Sequence, residues 1–193
     1  MLTDLKTALR PAFALTIAFA LLLGVAYPLA LTGIGQVAFA AQANGSLITE
    51  NGKVIGSELI GQSFASDRYF HGRPSAAGKG YDASASSGSN LAPTSQALAD
   101  RVKADVAANP PSPGKSVPAD LVTSSASGLD PDLSPEAAFY QVDRVAKARG
   151  LTSDAVRTLV TAQIDHPLLG FLGEPRVNVL ALNRALDRAS PRH

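Results

Sequence analysis

"AFALTIAFALLLGVAYPLAL", Ala12 to Leu31, decides how the rest of the chain must be read. No charged residue occurs between Pro11 and Thr49, and within this stretch almost every side chain is apolar. About 20 helical residues at ~1.5 Å each cover the ~30 Å hydrocarbon core of a bilayer. A helix also satisfies its own backbone polar groups, which lipid cannot do. Thr16 can bond back to a carbonyl one turn earlier. Tyr27 suits the headgroup level, and Pro28 is tolerable near the end of a span. "TGIGQ", Thr32 to Gln36, reads as a set of breakers. The stretch predicts a tail over residues 1–10, a transmembrane helix over 11–32 and a linker over 33–45.

Flanking charge predicts the orientation. Lys6 and Arg10 precede the span, and no Lys or Arg follows until Lys53. The positive-inside rule then puts the tail in the cytoplasm and residues 46–193 outside. The rival is a cleaved signal peptide, since "AFAAQA", Ala38 to Ala43, offers small residues in the A-x-A manner. A signal core runs ~7–15 residues and this one is longer, which favours a retained single-pass anchor.

Beyond the span there is material for one modest domain with its own core. With Asp4, Lys6 and Arg10 set aside from 17 basic and 16 acidic residues, 15 of each remain. A neutral domain gives no electrostatic reason to bind nucleic acid. The chain has no cysteine, so neither a disulfide nor a thiolate is available.

The outer domain predicts an α+β fold: a β-hairpin followed by about four helices, grouped too late in the chain for a doubly wound sheet. Asn51-Gly52 favours a type I′ turn between Leu47-Ile48 and Val54-Ile55. Ser75 to Asn90 is small and polar, and composition predicts a flexible loop. A helix is expected from Thr94, with Leu98, Val102 and Val106 on one face. "NPPSPGKSVP" reads as an exposed connector and "ADLVTSSA" as a short strand. In "SPEAAFYQVDRVAKARG", Ser134 caps a helix, Pro135 takes its first position and Glu136 meets its dipole. Ala138, Val142 and Val145 form the buried stripe, widened by Phe139 and Ala146. Asp143 and Lys147 are spaced to pair, Arg144, Lys147 and Arg149 crowd the C-terminal end, and Gly150 closes it. Gln141 and Arg144 flank the stripe and are not explained by it. A further helix follows Thr152 or Ser153, and Asn178 caps the last one, with Val177 and Leu182 spaced as a staple.

Catalytic motifs fail when tested. "GRPSAAGKG", Gly72 to Gly80, echoes a phosphate loop, yet five residues separate its first glycines and Gly80 replaces the magnesium-binding hydroxyl. Ser89, Ser127 and His71 supply hydrolase residue types without a G-x-S-x-G elbow. His71, His166 and His193 lack metal-ligand spacing, and Asp130 and Asp132 read as turn residues before Ser134. Asn44 heads a glycosylation triplet of a kind frequent by chance. No catalytic residue and no metal ligand is assigned. What remains is an anchored outer domain, either an accessory subunit or a freestanding membrane-tethered periplasmic binding module or hydrolase.

Several blocks carry a family resemblance: "YPLALTGIGQ", "QANGSLI", "GSELIGQSF", "YFHGRPSA", "SGSNLAPTS", "SASGLDPDLSPEAAFYQVDRVAKARG" and "GFLGEPRVNVLALN". Together, and in order, they resemble the C subunit of the bacterial Kdp-type potassium-transporting ATPase. "FAAQA" departs from a common proline after the phenylalanine, and "QIDHPLLGFLG" is a more apolar variant of its block. The resemblance implies a complex with a channel-like potassium-binding subunit, a P-type ATPase subunit and a small one-span subunit. Potassium is handled by the channel-like partner. The phosphorylation motif DKTGT is absent here, so the resemblance implies a non-catalytic subunit. It also implies a catalytic chaperone that raises the ATP affinity of the ATPase subunit, with ATP contacting a glutamine matching Gln141.

The derived orientation conflicts with direct contact, because Gln141 then lies at least the ~30 Å bilayer away from a cytoplasmic nucleotide. An effect on ATP affinity would be a coupling free energy, for which ~1.4 kcal/mol gives tenfold. The expectation is that Ala18, Gly24 and Ala26 let the span pack closely on the channel-like subunit. The outer domain would cap that subunit's potassium entrance, and the loop Ser75 to Asn90 would be ordered by its partner.

Overall fold

The computed structural model of the chain describes residues 2–110 and 116–189. His193 and the middle of the expected connector lie outside the described residues. The chain divides into two compact units between Leu47 and Ile48.

The first unit is helical. Helix α1 (Leu2–Leu21) runs through a π-helical turn (Leu22–Ala26) into α2 (Tyr27–Ala38), and a short α3 (Ala40–Ala43) follows. Within it Lys6–Ala38 is long and apolar enough to cross a membrane. The expected break at Thr32–Gln36 does not occur. Two glycines weaken a helix by ~1 kcal/mol each, too little to end a long helical run of this kind. The helix stops at Phe39, which turns to φ −137° while its N–H still bonds Gly35 O at 2.9 Å. The π turn has a visible cause in Pro28. Proline offers no N–H to the carbonyl four residues back and its ring crowds that carbonyl. The wider turn just ahead lets the Tyr27 N–H reach Leu22 O instead. Asn44 closes the end, its Nδ2 donating to Ala40 O at 2.7 Å and to Gln36 Oε1 at 3.0 Å.

The second unit is α+β. Strands β1 (Leu47–Glu50) and β2 (Lys53–Ser57) form the expected hairpin, with Asn51 and Gly52 at φ 50° and 75°. Helices α4 (Gln96–Ala108), α5 (Pro135–Arg149), α6 (Ser153–Ala162) and α7 (Val179–Ala189) are the four described here. Helix α4 starts at Gln96, slightly later than expected, and remains half-buried along Leu98, Val102 and Val106. A second sheet was not expected: β3 (Asp132–Leu133), β5 (Arg176–Asn178) and β4 (Ile164–Asp165) pair antiparallel in the order β3-β5-β4. The expected strand after Pro118 is a 3₁₀ turn, Ala119–Leu121, which buries Leu121.

The core lies where α5, α6, α7 and β5 meet, with Val142, Val145, Val156, Val160, Val177, Leu182 and Leu186 fully buried. Capping follows the sequence. Ser134 Oγ accepts from Ala137 N, Thr152 Oγ1 from Ala155 N and Asn178 Oδ1 from Ala181 N. Gly150 ends α5 at φ 67°. Asp143, expected to pair with Lys147, accepts the Ser153 hydroxyl at 2.7 Å.

Candidate functional site

Helix α5 carries three polar side chains beside its apolar stripe: Gln141, Arg144 and Arg149. All three turn onto one segment, Asp67–His71, which belongs to no strand. The segment begins in a turn, closed by Tyr69 N donating to Ser66 O at 3.0 Å, and its remaining backbone groups have no strand neighbour and still need partners. Here side chains provide them. Asn183 of α7 takes Phe70, its Oδ1 accepting from the N–H at 2.8 Å and its Nδ2 donating to the carbonyl at 3.0 Å. Gln141 of α5 treats His71 the same way, at 2.8 and 3.0 Å. Arg144 donates to Asp67 O and Tyr69 O, and Arg149 Nε donates to Arg68 O at 2.6 Å. Five successive carbonyls are therefore held by four side chains. Phe70, at the centre, is fully buried.

The clamp is internally braced. Arg144 also donates to Gln141 Oε1 at 2.7 Å. The Arg149 side chain, wholly removed from solvent, pairs with Asp187 at 2.8 Å and lies 4.8 Å over the Tyr69 ring. The Tyr69 hydroxyl donates to Asp187 at 3.0 Å. Arg149 is thus a structural cation inside the unit, where the sequence suggested only a favourable charge at a helix end. His71 is half-buried, with Nε2 3.1 Å from Ser66 O. Burial, and then the nearby Arg144 guanidinium, hold its imidazole below the usual histidine range. Burial likewise lowers Arg144.

The chain that follows the clamp is held by contacts of its own. Arg73 pairs with Asp130 at 3.1 Å, and the Tyr81 hydroxyl donates to Arg73 O at 2.6 Å. Ser75 Oγ donates to Gly128 O at 2.6 Å and accepts from Tyr81 N at 2.8 Å. Ala77 is fully buried. The Ser75–Asn90 segment, flexible by composition, is folded onto residues 125–130 within this one chain. Its serines serve as short hydrogen-bonding links between backbone groups, a role composition cannot distinguish from solvated loop. Ser127 accepts from Leu129 N, a turn contact rather than a nucleophile's. Among the described residues no group of three or more His, Asp or Glu is placed to hold a metal ion.

A cleft of about 300 Å³ opens beside the clamp, lined by Glu50, Tyr69, Asn183, Arg184 and Asp187 among others. Its charges face one another: Arg184 meets Glu50 at 2.8 Å and Asp187 meets Arg149.

Gln141 is the one expected site residue in the clamp, and it is only 2 % exposed. Ala18 lies in the regular part of the long helix, and Gly24 and Ala26 in its π turn, with open space around Gly24. Asn183, Arg149 and Asp187 were missed because their partners lie far off in sequence, 113 positions in the case of Asn183 and Phe70.

Residues 9–188 match the family described as K+-transporting ATPase, c chain. The chain belongs to the KdpC family. It is 60 % identical, over 95 % of its length and 94 % of the relative's, to the potassium-transporting ATPase KdpC subunit of Caulobacter vibrioides. The KdpC subunit of Methylobacterium nodulans is 58 % identical over 93 % of this chain and 96 % of its own, and that of Bradyrhizobium diazoefficiens 57 % over 94 % and 97 %. As a KdpC subunit of a potassium-transporting ATPase the chain has partner subunits, and the clamp belongs to a complex member.

Proposed function

We propose that this chain is a non-catalytic accessory subunit of an ATP-driven, high-affinity potassium uptake complex, anchored in the bacterial inner membrane with its second unit on the outer face. The observation that carries the reading is the match of residues 9–188 to a family named for a chain of that ATPase. The apolar helix supports an anchor, and Lys6 and Arg10 at its start support the orientation. Its partners in this reading are a channel-like potassium-binding subunit, a P-type ATPase subunit and a small one-span subunit. Ala18, Gly24 and Ala26 are the close-packing positions of the span.

In this reading ATP affinity is raised through the partners. The Gln141 carboxamide is engaged by His71, Ala137 and Arg144. A nucleotide could take it only by displacing those bonds, and the nucleotide lies across the bilayer. Gln141 acts instead by holding the shape of the outer unit, and the effect reaches the ATP site as a coupling free energy of ~1–3 kcal/mol.

The test is the complex purified with and without this chain. Its removal should raise the KM for ATP at least about fivefold, or dissociate the channel-like and ATPase subunits. An intact three-subunit complex with unchanged ATP and potassium dependence contradicts the proposal.

A further inference from the structure

The turn between β4 and β5 carries Pro167-Leu168-Leu169-Gly170-Phe171-Leu172-Gly173, without a charge. Four large apolar side chains stand in solvent there: Leu168 69 %, Leu169 75 %, Phe171 72 % and Leu172 52 % exposed. Among the other described residues of the second unit, exposed large hydrophobics come singly, at Val54 and Leu91, or as the pair Leu59 and Ile60. The tip has a defined shape. Leu168 and Leu172 bridge across it, Leu172 N bonds Leu168 O at 3.0 Å, and the chain reverses through Leu169 at φ 56° and Gly170 at φ 79°. A bulky aliphatic side chain rarely adopts that conformation. The base is tied, since Ile164 pairs with Val177 in register and Asp165 accepts from Arg176 at 2.8 and 3.0 Å.

Three covers can be weighed. Burying four such side chains removes on the order of a few hundred Å², against about 800 Å² per partner in stand-alone association. A second copy of this chain, meeting tip to tip, is therefore too small a contact to form alone. A bilayer surface calls for basic residues around the apolar tip. Here Asp165 and Glu174 flank it, and the nearby Arg176 is turned onto Asp165 and Asp132. An anionic membrane is thus electrostatically mismatched. The remaining cover is a protein already held close by other contacts, for which a small apolar anchor adds affinity through high effective concentration.

We infer that the Leu168–Leu172 tip is a docking finger that seats in an apolar, basic-rimmed recess on another protein subunit of the transport complex. The inference rests on the accessory-subunit reading and adds the contact point. A benzophenone-bearing phenylalanine at position 171 of the full chain, irradiated in membranes containing the assembled complex, should form an adduct with a partner subunit. The yield should exceed that from the same probe at exposed Asp154 by at least ~tenfold. Adducts with lipid only, with a second copy only, or no adduct overturn the docking finger. The double variant Leu169→Ser with Phe171→Ser should leave the circular dichroism spectrum and melting temperature of the full chain unchanged, because both side chains are exposed. It should cut co-purification with the partners at least ~tenfold. Full co-purification of this variant overturns the finger while leaving the subunit reading intact. Failure of the unaltered chain to co-purify overturns both.

Discussion

Gln141 and Asn183 do the work of missing strands. Each carboxamide supplies one donor and one acceptor in the spacing of a peptide group, so each completes the backbone of one residue, His71 or Phe70. Gln141→Leu keeps the volume and leaves both backbone groups of His71 without a partner, in a place water reaches poorly. A cost of about 2–4 kcal/mol is expected, read as a lower urea midpoint for the full chain in detergent. Gln141→Glu keeps the acceptor for His71 N–H and the Arg144 contact, and should cost less. The same neighbourhood sets a pH dependence. His71 has its pKa lowered in the folded chain, so the unfolded chain takes up the proton first as pH falls. The stability of the neutral imidazole's site is fully present above the unfolded value of about 6.5 and declines as pH drops through it toward the folded value. Between pH 8 and pH 5.5 the wild type should lose more stability than His71→Gln, measured as the difference in urea midpoints. Gln141 was visible in the sequence as a residue the apolar stripe did not explain, but not what it held. A helix pattern reports which side a residue faces and is silent about a partner 70 positions away.

Elements whose signals are local were legible. The Asn-Gly turn, the caps at Ser134, Thr152 and Asn178 and the Gly150 stop each depend on neighbours within a turn of chain, and each formed as the residues suggested. Elements sustained by distant contacts were not. Strands β3, β4 and β5 run two or three residues, too short to show an alternating pattern, and the register Leu133–Val177–Ile164 exists only because the three meet. The Ser75–Asn90 segment fails for the same reason, and it offers a direct test. Gly128 sits at φ 67°, and an added Cβ would lie 2.6 Å from Ala77 N and 2.7 Å from Ser87 O. Both obstacles are backbone, so Gly128→Ala must push the segment away. Gly150 has the same φ with open space around it, so Gly150→Ala isolates the conformational cost alone, ~1 kcal/mol. Gly128→Ala should cost clearly more and speed tryptic cleavage at exposed Lys79, whereas Gly150→Ala should leave that site as slow as in the wild type. Equal cleavage in the two variants would mean that the segment is not held by its seat against Gly128.

At the scale of the whole molecule the question is which side of the membrane the second unit occupies. Charge at the start of the long helix, Lys6 and Arg10, against none up to Thr49, argues for an outer location. The chain contains no cysteine, so a single introduced thiol reports its surroundings without background. The position must be exposed and outside the clamp. Gln141 is unsuitable because it is buried, and a label there would break the bonds to His71. Asp154, exposed in the first turn of α6, meets both conditions. In intact cells Asp154→Cys should react with a membrane-impermeant maleimide as fully as it does after detergent permeabilisation, while Thr3→Cys, ahead of the span, should react only after permeabilisation. The reverse pattern would put the clamp and the apolar tip in the cytoplasm. It would also remove the distance argument against direct nucleotide contact, since the Gln141 side of the chain would then share a compartment with ATP. The labelling ratio at these two positions therefore decides whether the second unit shares a compartment with ATP, on which the proposed indirect route depends.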